Sequence, residues 1–338
     1  MREEHIRSIL ESIHNVRIAV YGDLCLDAYW ILDPRGSEIS VETGLPAQGV
    51  RRQDYALGGA ANIVANLAAL RPAGIQVVGA IGPDLFGREL ARQLEELDVD
   101  LQHLVVQPER FDTVTFCKPH REGREQNRVD FGFFNQRTDE TDRALLDGLR
   151  HVLGSADAVI LNEQIPGSLR DAFIQNVNAL LDEFDDRIVL LDSRHYGERF
   201  RNVYRKTNAR EAARLQGAET SLAANVAKEV LDRAGARLFK ESGKPVFITR
   251  GPSGILVYDE SGPGEIPGLD LPAKLDPVGA GDTVLSALAC CLASGIHPLE
   301  AAEFANYAAG VTVQKLFQTG TASPEEILAL AAAPRPRS

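Results

Sequence analysis

Short apolar runs recur along the chain, each separated from the next by a stretch of helical periodicity. They are Val16-Arg17-Ile18-Ala19-Val20-Tyr21, Gln76-Val77-Val78-Gly79-Ala80-Ile81, Ala158-Val159-Ile160-Leu161 and Ile188-Val189-Leu190-Leu191-Asp192. A strand covered on both faces has no polar side to present, so it reads as a continuous apolar run rather than an alternation. The spacing predicts helices over 4–14, 60–70, 86–97, 139–153, 168–184, 209–216 and 220–235, and three closing helices over about 280–294, 298–316 and 323–333. Val246-Phe247-Ile248-Thr249 and Gly254-Ile255-Leu256-Val257-Tyr258 are expected to pair across a Gly/Pro/Ser turn. Buried strands alternating with helices define an α/β chain: a mostly parallel sheet with helices on both faces.

Two segments leave that rhythm. Residues 33–57 are rich in Gly, Pro, Ser and Glu, and 111–135 alternate in strand fashion, as in Thr113-Val114-Thr115-Phe116. Both read as exposed strands that pair into a small separate sheet, a lid. The expected organisation is one domain over 1–330, with lid segments at about 33–57 and 111–135 inserted and a flexible tail at 331–338.

Charge narrows the partners. With 36 Lys and Arg against 48 Asp and Glu, the net charge is −12. An acidic chain repels nucleic acid and anionic membranes, so neither is expected as a partner. No apolar run approaches the ~18 residues of a membrane span, and the first residues lack an apolar signal core. The four cysteines, Cys25, Cys117, Cys290 and Cys291, show no metal-binding spacing. That usage is expected of a reducing, cytoplasmic setting.

The chemistry concentrates in Asp276-Pro277-Val278-Gly279-Ala280-Gly281-Asp282, just before an apolar helix. Small residues let backbone N–H groups converge, and a helix N-terminus adds unpaired donors and partial positive charge. Such a loop can stabilise a transferring phosphoryl group, and Asp282 can take the proton of an attacking hydroxyl. By itself the run reads as a turn and a helix cap. Gly22-Asp23-Leu24-Cys25-Leu26-Asp27 places a carboxylate beyond the first strand. Gly58-Gly59-Ala60-Ala61-Asn62 opens a helix with close backbone approach. Asn208-Ala209-Arg210-Glu211 has the spacing of a helix N-cap with a reciprocal Glu. Thr249-Arg250-Gly251-Pro252-Ser253-Gly254 joins two strands. The chain has neither a P-loop Gly-x-x-x-x-Gly-Lys-Ser/Thr nor a Gly-x-Gly-x-x-Gly after its first strand.

Read together, Asp276–Asp282 and the small residues Ser286, Ala287 and Ala289 resemble the C-terminal signature of the ribokinase-like (PfkB) carbohydrate kinases. The resemblance runs from about residue 16 to 330. It implies an α/β domain with a β-sheet lid that transfers the γ-phosphoryl of ATP to a sugar hydroxyl. Asp282 would be the general base, and the backbone of Gly279, Ala280, Gly281 and Asp282 the anion hole. Asp27, Gly58, Gly59 and Asn62 would hold the sugar. Asn208 and Glu211 would hold Mg2+, largely through water, with Asn208 also at the ATP. Thr249, Arg250, Gly251 and Gly254 would meet the ATP phosphates and adenosine, and Asn306 would line the adenine pocket. The resemblance also implies a homodimer through the lid, and a K+ site beside the Asp276 loop. Val64 and Arg71-Pro72 depart from the N-terminal signature.

Within that family the chain is similar to kinases that phosphorylate heptose 7-phosphate at O1. Ser37–Pro46, Gly22–Trp30, Gly58–Asn62 and Ala308–Lys315 carry the likeness, and Gln126-Asn127-Arg128-Val129-Asp130 suggests Arg128 as a substrate-phosphate partner. Where those kinases tend to carry Ser-Asp-Tyr-x-Lys-Gly, this chain has Asn162-Glu163-Gln164-Ile165-Pro166-Gly167. The lysine is missing, and Glu163 resembles the acidic residue that meets a sugar hydroxyl in ribokinase-like relatives. The length is expected to leave no room for the nucleotidyltransferase domain that many heptose kinases carry. A non-catalytic sugar or nucleotide sensor and a nucleoside kinase of the same fold remain alternatives at this stage.

Overall fold

The computed structural model describes residues 1–215, 217, 226–271, 274–316 and 319–333. Helix α1 (Glu3–Ile13) leads into β1 (Arg17–Gly22), and β2 (Leu24–Leu32) follows after Asp23 alone. Strand β3 (Val50–Gly59) runs directly into α2 (Ala60–Leu70), followed by β4 (Gly74–Ile81), α3 (Leu85–Glu95) and β5 (Asp100–Val106). Next come β6 (Val114–Arg121), β7 (Arg124–Glu125), β8 (Val129–Phe131), α4 (Asp139–Ser155), β9 (Ala158–Glu163), α5 (Asp171–Glu183) and β10 (Ile188–Ser193). The chain continues through β11 (Tyr204–Asn208), α6 (Ala209–Arg214), α7 (Lys228–Ser242), β12 (Val246–Thr249), β13 (Ile255–Asp259) and β14 (Gly262–Ile266). Helices α8 (Ala280–Ala293), α9 (Pro298–Thr312) and α10 (Pro324–Ala332) close it.

Nine strands form the main sheet in the order β14-β13-β12-β11-β10-β9-β1-β4-β5. Pairing is parallel from β12 to β5, and antiparallel only at the β12–β13–β14 edge. The period of two sorts each strand between two cores. Ile18, Val20, Ile160 and Leu190 face α2 and α8, whereas Ala19, Tyr21, Val159 and Leu191 face α4 and α5. Helix α8 is buried from Thr283 to Leu292, so its apolar composition extends all round it. Arg71 caps α2 in the left-handed conformation, φ 60°, where a glycine would be unstrained.

The second sheet has the order β3-β2-β6-β7, with β8 on the free side of β6. Its central strand is Leu24–Leu32, paired antiparallel with β3 and parallel with β6. The sequence marks no strand there and places the lid from 33. Residues 33–49 instead hold only a short 3-10 turn and the isolated bridge Ile39↔Pro46. Strands β5, β11 and β14 were not anticipated either. Helix α7 begins at Lys228, and residues 226 and 227 of the expected helix are not helical; its residues 220–225 lie outside the described residues. All four cysteines are buried and free. Among the described residues, no helix is long and apolar enough to cross a membrane.

Candidate active site

The C-terminal ends of parallel strands leave a crevice where connections diverge to opposite faces of the sheet. Here β10, β11 and β12 end on a cavity of about 1030 Å³. Asp192, Arg194, Lys206, Asn208 and Glu211 line it on one side; Thr249, Gly251, Gly254 and Asn306 line it on the other. Gly279, Ala280, Gly281 and Asp282 contribute the N-terminus of α8.

Two glycines of that loop make room for side chains. Gly279 adopts φ 78°, and a Cβ there would lie 3.1 Å from Asn62 Nδ2. A Cβ on Gly281 would lie 2.9 Å from Lys206 Nζ. The Gly281 amide has no backbone partner among the described residues, so a donor remains at the helix start. The Ala280 amide donates to Pro277 O at 3.2 Å.

Asp282 is held from outside its own helix. Asn62 Nδ2 donates to its Oδ2 at 2.6 Å. Thr283 Oγ1 donates to Asn66 Oδ1 at 2.7 Å, and Ser286 Oγ to Ile63 O at 3.1 Å, so α2 and α8 are tied along their contact. Burial pushes the Asp282 carboxyl up to about 6, against the Asn62 hydrogen bond and the Lys206 charge, which pull it down. Lys206 Nζ pairs with Asp192 at 2.7 Å, both side chains being buried. Burial pulls Lys206 down, but Asp192 and Glu211 outweigh it and leave its pKa above the ordinary value.

Asn208 and Glu211 form a reciprocal cap on α6. Asn208 Oδ1 accepts from the Arg210 and Glu211 amides, and Glu211 Oε2 accepts from Asn208 N and Thr207 Oγ1, all at 3.0 Å. Those oxygens are engaged in the cap, and Glu211 Oε1 is left outside it. No group of three or more His, Cys, Asp or Glu suited to a metal occurs among the described residues. The donor set fits an Mg2+ that keeps waters and phosphate oxygens, because such an ion needs few protein ligands.

At the far wall, Gly254 has φ 86°, and a Cβ there would meet Ile266 O at 2.0 Å. Asn306 Nδ2 donates to Pro267 O at 3.0 Å. Arg250 turns away: its guanidinium bonds Glu265 and Ser253 O, and it does not line the cavity.

The lid end is a second polar cluster. Asp27 is buried and pairs with Lys118 Nζ at 2.9 Å. Burial still raises its pKa against Lys118 and Arg128. Gly58 lies against that carboxylate, and Gly59, φ 53°, would place a Cβ 2.6 Å from Asp23 O. Arg128 makes a two-point pair with Asp130, at 2.6 and 2.7 Å, above the Phe116 ring. Glu163 is buried away from the cavity. Its Oε2 accepts from Ser193 Oγ at 2.6 Å and the His195 amide at 2.8 Å.

Sequence reasoning missed Asp192, Arg194, Lys206 and Lys118. A signal existed for Lys206: it lies two residues before Asn208 on one strand, hence on the same side. Lys118 had none, because it reaches Asp27 only through the β2–β6 pairing.

A parallel α/β sheet, a smaller sheet beside it and an aspartate at a glycine-flanked helix start define a sugar kinase of ribokinase-like fold. The chain belongs to the pfkB family of carbohydrate kinases, whose profile matches residues 16–326. It is 31% identical over 317 residues to the bifunctional protein HldE of Coxiella burnetii, covering 91% of this chain and 62% of that protein. It is 31% identical over 331 residues to HldE of Citrifermentans bemidjiense, covering 97% and 66%. The chain thus spans just under two thirds of the length of these relatives. Ribokinase of Arabidopsis thaliana, solved with ribose and ATP, superposes with a TM-score of 0.72 at 20% identity, covering 95% of this chain and 100% of that one. Phosphofructokinase-2 of Escherichia coli, solved with substrates and products, gives 0.72 at 18%, covering 94% and 99%.

Proposed function

We propose that the protein transfers the γ-phosphoryl of ATP to a hydroxyl of a sugar phosphate, with D-glycero-D-manno-heptose 7-phosphate at O1 as the leading acceptor. The observation that carries this reading is the placement of Asp282, on the cavity that Asn208, Glu211 and Thr249 also line and bonded to Asn62 of the helix that follows the lid. Asp282 takes the proton of the acceptor hydroxyl, and its raised pKa suits a base working near neutrality. The Gly281 amide and the α8 N-terminus stabilise the charge developing on the phosphoryl group. Asn208 and Glu211 would hold Mg2+, largely through water, and the ion would supply charge neutralisation for the phosphates. Thr249, Gly251 and Gly254 admit the nucleotide, with Asn306 at its base end. Asp27, Gly58 and Gly59 orient the sugar under the lid.

The HldE relatives support a heptose phosphate acceptor. Lys118 and Arg128 supply cations at the acceptor end, where the lysine expected after Leu161 is absent. Glu163 is engaged by its neighbouring loop and takes no part in acceptor binding in this reading. The exposed apolar side chains Ile39, Val41 and Leu45 support pairing of two copies through the lid, and the site would work in the cytoplasm. A K+ beside the Asp276 loop would show as K+-dependent turnover. The test is ADP release with Mg·ATP across sugar 7-phosphates, hexose phosphates, free sugars and nucleosides. Turnover with a heptose 7-phosphate is expected. Tight sugar binding without ADP would replace this reading with a sensor, and turnover confined to nucleosides would replace it with a nucleoside kinase.

A further inference from the structure

The loop after β10 is braced from one side by Glu163. The Arg194 amide donates to Glu163 O at 3.1 Å. The carboxylate Oε2 accepts from Ser193 Oγ, the His195 amide and the Tyr196 amide, and Tyr196 N also donates to Ser193 Oγ at 3.0 Å. Arg214 Nη2 holds Arg194 O from beyond the loop. Backbone and neighbours are therefore fixed, while the Arg194 side chain lines the same cavity as Asp282.

Two other cations near the cavity are neutralised. Lys206 pairs with Asp192 and Arg250 with Glu265. The Arg194 guanidinium makes no hydrogen bond or ion pair among the described residues, although it sits in a strongly acidic chain. Its charge is felt at Asp282 and also at Cys25 on lid strand β2. It lines one cavity with Asp282, Asn208 and Thr249. A braced cation with a free fork, on the cavity that Asp282 and the α8 N-terminus also line, suits the equatorial oxygens of a phosphoryl group.

We propose that Arg194 contacts the transferring γ-phosphoryl group, and that Glu163 is the positioning residue that aims it. This rests on the kinase reading above. In the transfer, the acceptor oxygen forms the new P–O bond as the bond to the β-phosphate bridging oxygen breaks; ADP leaves, and Asp282 holds the acceptor proton. Arg194 exchanges no proton or electron and acts on charge alone.

The experiment compares Mg·ATP and Mg·ADP binding by calorimetry in the full chain and in Arg194→Ala. Loss of about tenfold in ATP affinity, with ADP affinity unchanged, is expected. Equal losses for both nucleotides, or none, would overturn the proposal. With an active acceptor, kcat should fall by on the order of 10³-fold at unchanged acceptor KM, with partial recovery in Arg194→Lys. A rise in acceptor KM at unchanged kcat would instead assign Arg194 to an acceptor phosphate and sink the proposal. If the wild type releases no ADP with any acceptor, the kinase reading fails, while the ATP-over-ADP comparison still reports on Arg194. Glu163→Gln should lower the ATP-over-ADP preference in wild type and have no further effect on it in Arg194→Ala. Additive effects would remove Glu163 as the positioning residue. Should Glu163→Gln not fold, Ser193→Ala, which removes one brace, serves in the same cycle.

Discussion

Asn62 Nδ2 lies 2.6 Å from Asp282 Oδ2, and the two residues are 220 positions apart in the chain. Asn62 stands in the first turn of α2, directly after lid strand β3, and Asp282 in the first turn of α8. Two helix starts are therefore joined side chain to side chain at the site. A hydrogen bond to the ionised form favours that form, so the amide restrains a carboxyl that burial drives upward.

Replacing Asp282 with Asn keeps the shape and removes the base. Turnover should fall by about 10²–10⁴-fold, with Mg·ATP affinity retained. Coupled ADP release and calorimetry measure the two quantities separately. Near-normal turnover would end the base assignment.

The pH profile follows from the same group. With its carboxyl pushed up to about 6, Asp282 is ionised above that pH and protonated below it, so kcat/KM should decline on the acid side of about pH 6. Asn62→Ala removes the largest influence that lowers the pKa, and the acid limb should move to higher pH. A limb that stays in place, or moves down, would contradict the coupling.

Stability should run the other way. The folded pKa of Asp282 is about 6 and the ordinary value 3.8. Between those values the folded state binds more protons than the unfolded one, so stability falls as pH rises through the window. Asp282→Asn escapes that cost. At pH 7 it should be more stable than wild type by on the order of 1–3 kcal/mol, and the gap should close below about pH 4. Urea unfolding at pH 7 and pH 4 checks the sign.

Lys118→Met leaves Asp27 buried without its cation. Acceptor KM should rise about tenfold or more, with the ATP KM unchanged. Initial rates with each substrate varied in turn separate the two. A change confined to the ATP KM would place Lys118 outside the acceptor end.

Gly254→Ala and Gly44→Ala form a matched pair. Both glycines have positive φ, 86° and 68°, but only at Gly254 would a Cβ meet backbone, at 2.0 Å from Ile266 O. Gly254→Ala should cost at least ~2 kcal/mol and Gly44→Ala about 1 kcal/mol. Thermal melts that rank them in the reverse order would refute the steric argument.

Strands β1, β4, β9 and β10 were legible because their apolar runs have no polar face to disguise them. Strand β2 was not: only Asp23 separates it from β1, and no change of periodicity marks the passage from one sheet to the other. Strand β11, Tyr204-Arg205-Lys206-Thr207-Asn208, lacks the apolar run because it carries cavity residues at its end. The motifs located the site, but spacing along a chain does not say where a side chain turns. Arg250 falls within a cavity motif and faces Glu265; Glu163 ends a strand beside the site and holds the neighbouring loop instead.

The seam between the two sheets has a consequence for engineering and descent. The β2–β3 part of the lid leaves the main sheet at Asp23 and runs into α2 at Gly59, whose φ of 53° and close approach to Asp23 O leave no space for a side chain. Gly59 belongs to the candidate site and Asp23 lies against it, so this part of the lid is not a cassette with neutral ends. Grafting one from another kinase to change acceptor choice would cut through residues that also set Asn62, and through it Asp282. New acceptor preferences should therefore arise more readily by exchanging single side chains under the lid than by recombining it whole.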